Sequence, residues 1–185
     1  MITQLKLGMM GNFTYIIWDE ESKEGAVIDP GWEVEKIINE IKKNKIKIHY
    51  ILLTHCHFDH NLGVSDLKKE VGGQIVFNKK EQSKIPTDRY VEEGDILKLG
   101  NKEIKVIETP GHSAGGVCYL FDNQFLFTGD TIFGKGVYGR TDLPGGSEKQ
   151  MAESLDKLKK LNKETKFYPG HDYAGEEVGI LGEIF

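Results

Sequence analysis

An α/β fold is predicted for this chain by two patterns. Short apolar runs of strand type alternate with stretches whose apolar residues recur at helical spacing, and four of the apolar runs end at a histidine or an aspartate. With 185 residues and 38% hydrophobic content the chain can bury a substantial core, and no repeat or Pro/Ser-rich stretch divides it, so a single domain over 1–185 is expected.

The elements follow in order. Gln4 to Met10, Thr14 to Trp18 and Gly25 to Asp29 read as strands, with Asp19-Glu20-Glu21-Ser22 as a turn. Val34, Ile37, Ile38 and Ile41 fall at i, i+3, i+4 and i+7, which predicts an amphipathic helix over Glu33 to Lys43. Tyr50 to Leu53 is a short buried strand, Leu62 to Val71 a helix and Gln74 to Phe77 extended, while Glu81 to Lys84 is too short to assign. Strand character resumes at Ile96 to Leu99, Lys102 to Glu108, Gly116 to Phe121 and Gln124 to Phe127. Met151, Leu155, Leu158 and Leu161 mark a second amphipathic helix, and Lys166 to Tyr168 a last strand.

Composition excludes several classes. With 24 basic and 29 acidic residues the net charge is -5, and the lysine clusters lie on helix-like stretches, which argues against nucleic acid as a partner. No leader-like start and no long apolar run appear, so neither membrane insertion nor export is expected, and the chain reads as cytoplasmic. Two cysteines, Cys56 and Cys118, cannot staple a chain of this size and read as small apolar fillers, with Cys56 pointing away from its histidine neighbours. No heptad seam is present, and a monomer is expected.

The chemistry concentrates in Thr54-His55-Cys56-His57-Phe58-Asp59-His60, which spends three of the six histidines within six residues. In an extended segment His55, His57 and Asp59 would share one side and His60 would face another, so one short stretch can feed two neighbouring metal ions. Imidazole and carboxylate suit zinc, iron or manganese without any thiolate. Further candidates end the other strand-like runs: His112 after Ile104 to Ile107, Asp130 after Phe125 to Phe127, and His171 after Phe167-Tyr168. Sites at the carboxyl ends of sheet strands are common in α/β proteins, and the glycines in Pro110-Gly111-His112, Gly129-Asp130 and Pro169-Gly170-His171 permit sharp turns toward a shared centre. His49 reads as an ordinary exposed residue. The Gly-rich segment Ile132 to Gly146 follows Asp130 and is too irregular for a simple turn, so it should border the site.

These motifs, taken in order as Thr54 to His60, Thr109-Pro110-Gly111-His112, Phe127-Thr128-Gly129-Asp130-Thr131 and Tyr168-Pro169-Gly170-His171, resemble the metallo-β-lactamase superfamily over essentially the whole chain. The resemblance implies an αββα sandwich, two mixed β-sheets flanked by helices with metals at one edge. Ala26-Val27-Ile28-Asp29-Pro30-Gly31 and Gly139 to Gly146 look like the small glyoxalase II-like hydrolases, which cleave thioesters of the S-lactoylglutathione type. Carried over by position, His55, His57 and His112 should hold one divalent metal, zinc in the first instance with iron or manganese as alternatives. Asp59, His60 and His171 should hold the other, with Asp130 bridging. A hydroxide bridging the two metals is then the expected nucleophile, with Asp59 and Asp130 as the catalytic carboxylates. The partner is a small acyl-thiol molecule, for which Tyr138 roughly matches a carrier-binding position, and Lys135 and Arg140 are candidates for binding carboxylates. Pairing of Arg140 with Asp142 to fix the loop is an equal alternative.

Other activities stay open on the same motifs. His55-Cys56-His57 and His171-Asp172-Tyr173 also resemble persulfide dioxygenases of this fold, which use a single iron on the positions of His57 or His55, His112 and Asp130. Lactone, β-lactam or other ester hydrolysis is possible with the same hydroxide. The longer glyoxalase II proteins carry an additional C-terminal helical domain that contacts glutathione, which this chain does not match, since it ends 14 residues after His171.

Overall fold

The computed structural model describes residues 1–81, 83–175 and 177–185. In chain order the elements are β1 (Ile2–Leu7), β2 (Asn12–Trp18), β3 (Glu24–Ile28), α1 (Val34–Asn44), β4 (Lys47–Leu52), α2 (Phe58–Asn61), α3 (Val64–Val71), β5 (Gln74–Asn78) and β6 (Arg89–Val91). The second half gives β7 (Ile96–Leu99), β8 (Lys102–Glu108), β9 (Val117–Phe121), β10 (Phe125–Gly129), β11 (Ile132–Gly134), β12 (Val137–Tyr138), α4 (Glu148–Leu158), β13 (Lys166–Pro169), β14 (Gly179–Ile180) and α5 (Leu181–Ile184).

Two six-stranded sheets result, ordered β1-β2-β3-β4-β5-β6 and β14-β13-β10-β9-β8-β7, with β11 and β12 forming a separate hairpin. Both are mixed. In the first, β3 to β6 run parallel and β1 to β3 antiparallel, and in the second the β10-β13 pair is parallel among antiparallel neighbours. Side chains alternate across β2: Tyr15 and Ile17 enter a core shared with Leu97, Ile104, Val106, Tyr119 and Phe127 of the facing sheet, whereas Ile16 and Trp18 pack with Ile37, Ile38 and Ile41 of α1 and Leu67 of α3. Period-two strands over period-3.6 helices therefore produce three apolar layers. The third layer packs Ile107, Cys118, Leu120 and Phe167 against Leu158 of α4 and Leu181 of α5. This is the expected αββα sandwich.

Several local readings change. Gly8 and Gly11, both at positive φ, close a tight turn around Met9 and Met10, so the first strand ends at Leu7. The His-rich segment is not extended throughout: α2 begins at Phe58, and Asp59 turns away from His55 and His57 to join His60. His49 is a half-buried member of β4, with Nε2 3.5 Å from Glu24 Oε1, rather than an exposed residue before it.

Candidate metal centre

Four strand ends and α2 bring seven side chains together. Ligand atoms of His55, His57 and His112 lie within 4.8 Å of one another, and so do those of Asp59, His60 and His171. Within the first group His112 Nε2 is 2.9 Å from His57 Nδ1, and within the second His60 Nε2 is 3.0 Å from His171 Nε2, itself 3.2 Å from Asp59 Oδ2. Asp130 sits between the groups, with oxygens 3.9 Å from His55, 3.5 Å from His112, 3.4 Å from His60 and 3.5 Å from His171.

The hydrogen bonds fix which nitrogen each ring presents. His112 Nδ1 lies 2.8 Å from the Arg140 carbonyl and His171 Nδ1 3.0 Å from that of Met10, and a carbonyl only accepts, so both rings are protonated at Nδ1 and turn Nε2 inward. Thr54 Oγ1 donates to Asp29 Oδ2 at 2.6 Å and so accepts from His55 Nδ1 at 3.0 Å. The same Asp29 carboxylate receives His60 Nδ1 at 3.0 Å. One buried carboxylate thus orients a ring in each group. Asn12 donates to Asp59 Oδ2 at 2.9 Å and is itself held by Trp32 Nε1 at 3.1 Å.

The arrangement fits divalent cations. His55 Nε2 and Asp130 Oδ1 are buried without a hydrogen-bond partner among the described residues, although such an atom ordinarily costs about 1–3 kcal/mol. Both belong to the converging donor set. Burial, then the charge of His60 and the other nearby histidines, holds His55 well below the usual histidine range, which keeps its lone pair free. Burial opposes a proton on His171 too, but donation to the Asp130 and Asp59 carboxylates outweighs it and raises the ring to about 10. Burial likewise opposes the charges on Asp130 and Asp59, and the surrounding histidines overcome it, holding both carboxyls low.

Two glycines explain how the chain closes so tightly around the carboxylates. A Cβ on Gly31 would lie 1.7 Å from the Asp59 carbonyl oxygen, and one on Gly139 would lie 1.9 Å from that of Asp130. Neither position can carry a side chain without moving a site residue. Gly31→Ala should therefore cost stability at the upper end of overpacking effects, about 3 kcal/mol, and weaken metal retention, which thermal melts and chelator competition would measure together.

A cavity of about 810 Å³ opens onto the centre, lined in part by His57, Asp59, His112, Asp130 and His171. Of the sequence-derived substrate contacts, Tyr138 and Arg140 line it and Lys135 does not. Arg140 forks onto Asp142, with Nε and Nη2 donating at 2.7 and 2.6 Å, so the loop-fixing alternative is the pairing present. Cys118 is fully buried, as a filler would be, and burial raises its thiol to about 11. Cys56 packs beside the helices yet also reaches the cavity wall, where burial and Glu81 push its thiol to about 12. Glu81 accepts from Ser113 Oγ, and from Gly115 N at 3.0 Å, bracing the loop after His112. Sequence reasoning assigned no role to Asn12, Asp29, Glu81 or Tyr173. Asp29 carried a signal, since Asp29-Pro30-Gly31 ends a strand in the same manner as Gly129-Asp130, and Tyr173 lay in the motif His171-Asp172-Tyr173.

Comparison with known proteins agrees with this geometry. The Metallo-beta-lactamase superfamily model matches residues 7–171. The chain is 34% identical over 167 residues to a probable polyketide biosynthesis zinc-dependent hydrolase, PksB, of Bacillus subtilis, covering 88% of this chain and 73% of that protein. It is 36% identical over 167 residues to a hydroxyacylglutathione hydrolase of Pelagibacter ubique, covering 89% and 68% respectively. The crystal structure of ETHE1 from Myxococcus xanthus superposes with a TM-score of 0.88 at 29% identity, covering 99% of this chain and 80% of that one. The chain belongs to the metallo-β-lactamase superfamily.

Proposed function

We propose that this protein is a metal-dependent hydrolase that cleaves an acyl thioester. His55, His57 and His112 hold one divalent cation and Asp59, His60 and His171 a second, with Asp130 shared between them. The observation that carries this reading is the central place of Asp130, within 4 Å of four histidines drawn from both groups. The relatives named as a zinc-dependent hydrolase and a hydroxyacylglutathione hydrolase support zinc and a thioester substrate.

Metals bound there supply a Lewis acid for the carbonyl and a water that ionises near neutral pH. The chain's part is to hold the donors rigid. Asp29 keeps His55 and His60 in the tautomer that turns Nε2 inward, the Met10 and Arg140 carbonyls do the same for His171 and His112, and Asn12 fixes Asp59. Water adds to the thioester carbon with one of its protons passing to solvent, the C–S bond breaks to leave the carboxylic acid, and the sulfur departs as a thiolate that needs little help from an acid. Tyr138, on the cavity wall, contacts the substrate beyond the carbonyl.

Metal-replete protein should release thiol from acyl thioesters. No turnover on any thioester, with iron-dependent oxygen uptake on a persulfide, would overturn the reading. A second expected result concerns protons. Because the carboxylates raise metal-free His171 to about 10, cation binding at pH 7 must displace its proton. Affinity should therefore keep rising with pH from 7 toward 9, instead of levelling just above the ordinary histidine value of about 6.5. Calorimetry in buffers of different ionisation heat counts the protons released.

A further inference from the structure

The cavity wall is ill suited to a charged thiol carrier. Apart from the histidines of the metal centre, Arg140 is the one cationic residue among the described residues that line it, and its guanidinium is already forked onto Asp142. The two residues not described, Gln82 and Glu176, are not cationic either. On the same wall the Glu81 carboxylate, bonded to Ser113 Oγ and Gly115 N, adds negative charge and no cation. The remaining surface is largely apolar. Met10 (43% exposed), Phe58 (58%) and Tyr173 (52%) are exposed large hydrophobic side chains, and all three line this cavity.

Two of them are fixed by ring contacts. Phe58 opens α2 between His57 and Asp59 and packs edge-on against Trp32 with ring centroids 6.4 Å apart. Tyr173 stacks on His171 at 4.4 Å with an interplanar angle of 8°, and Phe133, also on the wall, lies 4.9 Å from it. Met10 is carried by the β1-β2 turn, whose Met10 carbonyl is bonded to His171. Apolar surface of this size, open to a cavity of about 810 Å³, gains most when a ligand covers it with hydrocarbon.

From this we infer that the substrate is an uncharged, apolar acyl thioester, a medium-chain acyl group on a neutral thiol arm, rather than an acyl group on an anionic peptide thiol such as glutathione. The inference rests on the thioester-hydrolase reading and narrows its substrate class. Glutathione would bring two carboxylates to a wall whose single guanidinium is taken and whose Glu81 carboxylate adds charge of the same sign. A methylene chain meets Phe58, Met10 and Tyr173 instead.

Acetyl, butyryl and octanoyl thioesters of N-acetylcysteamine and of glutathione, assayed on the metal-loaded protein, separate the possibilities. Burial of a methylene is worth about 4-fold in affinity, so kcat/KM should rise at least about 10-fold from acetyl to octanoyl even if only part of the chain is covered. For a given acyl group the N-acetylcysteamine ester should exceed the glutathione ester by about 10-fold or more, the cost of bringing unpaired carboxylates to the wall. Phe58→Ala and Tyr173→Ala should each lower the octanoyl-to-acetyl ratio by about 3-fold or more through lost apolar contact, with metal content unchanged. A preference for glutathione esters, or for acetyl over octanoyl, would overturn the inference while leaving the thioester hydrolase intact. Hydrolysis of none of the six would overturn the thioester reading, and the inference with it.

Discussion

Asp130→Asn is expected to lower kcat/KM by about 10³-fold or more, the effect of losing several kcal/mol of charge stabilisation at the reacting carbonyl. Asparagine keeps the volume but halves the accepting capacity and removes the charge that faces His55, His112, His60 and His171 at 3.4 to 3.9 Å. Because that carboxylate is shared by both groups, the variant should lose bound metal as well as rate. Elemental analysis beside the kinetics would show it, and wild-type metal content with near-normal turnover would remove Asp130 from the centre of the mechanism.

Asp29→Ala should be the most damaging change outside the donor set. It strands three buried donors at once, the Thr54 backbone N–H at 2.8 Å, the Thr54 hydroxyl at 2.6 Å and His60 Nδ1 at 3.0 Å. A loss of about 3–5 kcal/mol is expected for breaking a buried charged network from one side. For a domain of this size that corresponds to a fall in melting temperature of about 10 °C. Metal affinity should drop by about 10- to 100-fold because both His55 and His60 lose their orientation. Asp29→Asn retains one acceptor and should fall between the two. Calorimetric melts with chelator competition report both quantities, and unchanged affinity in a folded Asp29→Ala protein would contradict the orienting role.

The core of the fold was legible because it is local. The short apolar run ending at Trp18 and the helical spacing of Val34 to Ile41 announce a buried strand and an amphipathic helix without knowledge of the partner. The gathering of His55, His112, Asp130 and His171 was legible for a related reason, since each ends an apolar run and so lies at one end of a sheet. What the sequence did not reveal depends on distant contacts. β6 is three residues long and exists through parallel pairing of Val76 with Arg89 and Phe77 with Tyr90, and β14 through pairing of Ile180 with Lys166. The β11-β12 hairpin, with its irregular register, hid inside a segment that reads as loop. Strand periodicity alone puts Asp59 on the side of His55 and His57, but that periodicity ends where α2 begins, and Asp59 faces His171, the residue with which the family resemblance groups it. Asn12 holds Asp59 from 47 positions away, and no spacing rule announces such a pair.

The most direct test of the central claim is to titrate metal-free protein with zinc and follow thioester hydrolysis at each addition. Turnover should rise to a plateau at two equivalents per chain, because Asp130 joins two donor groups into one working centre. A plateau at one equivalent, or full turnover before any metal is added to a sample shown to be metal-free, would contradict it.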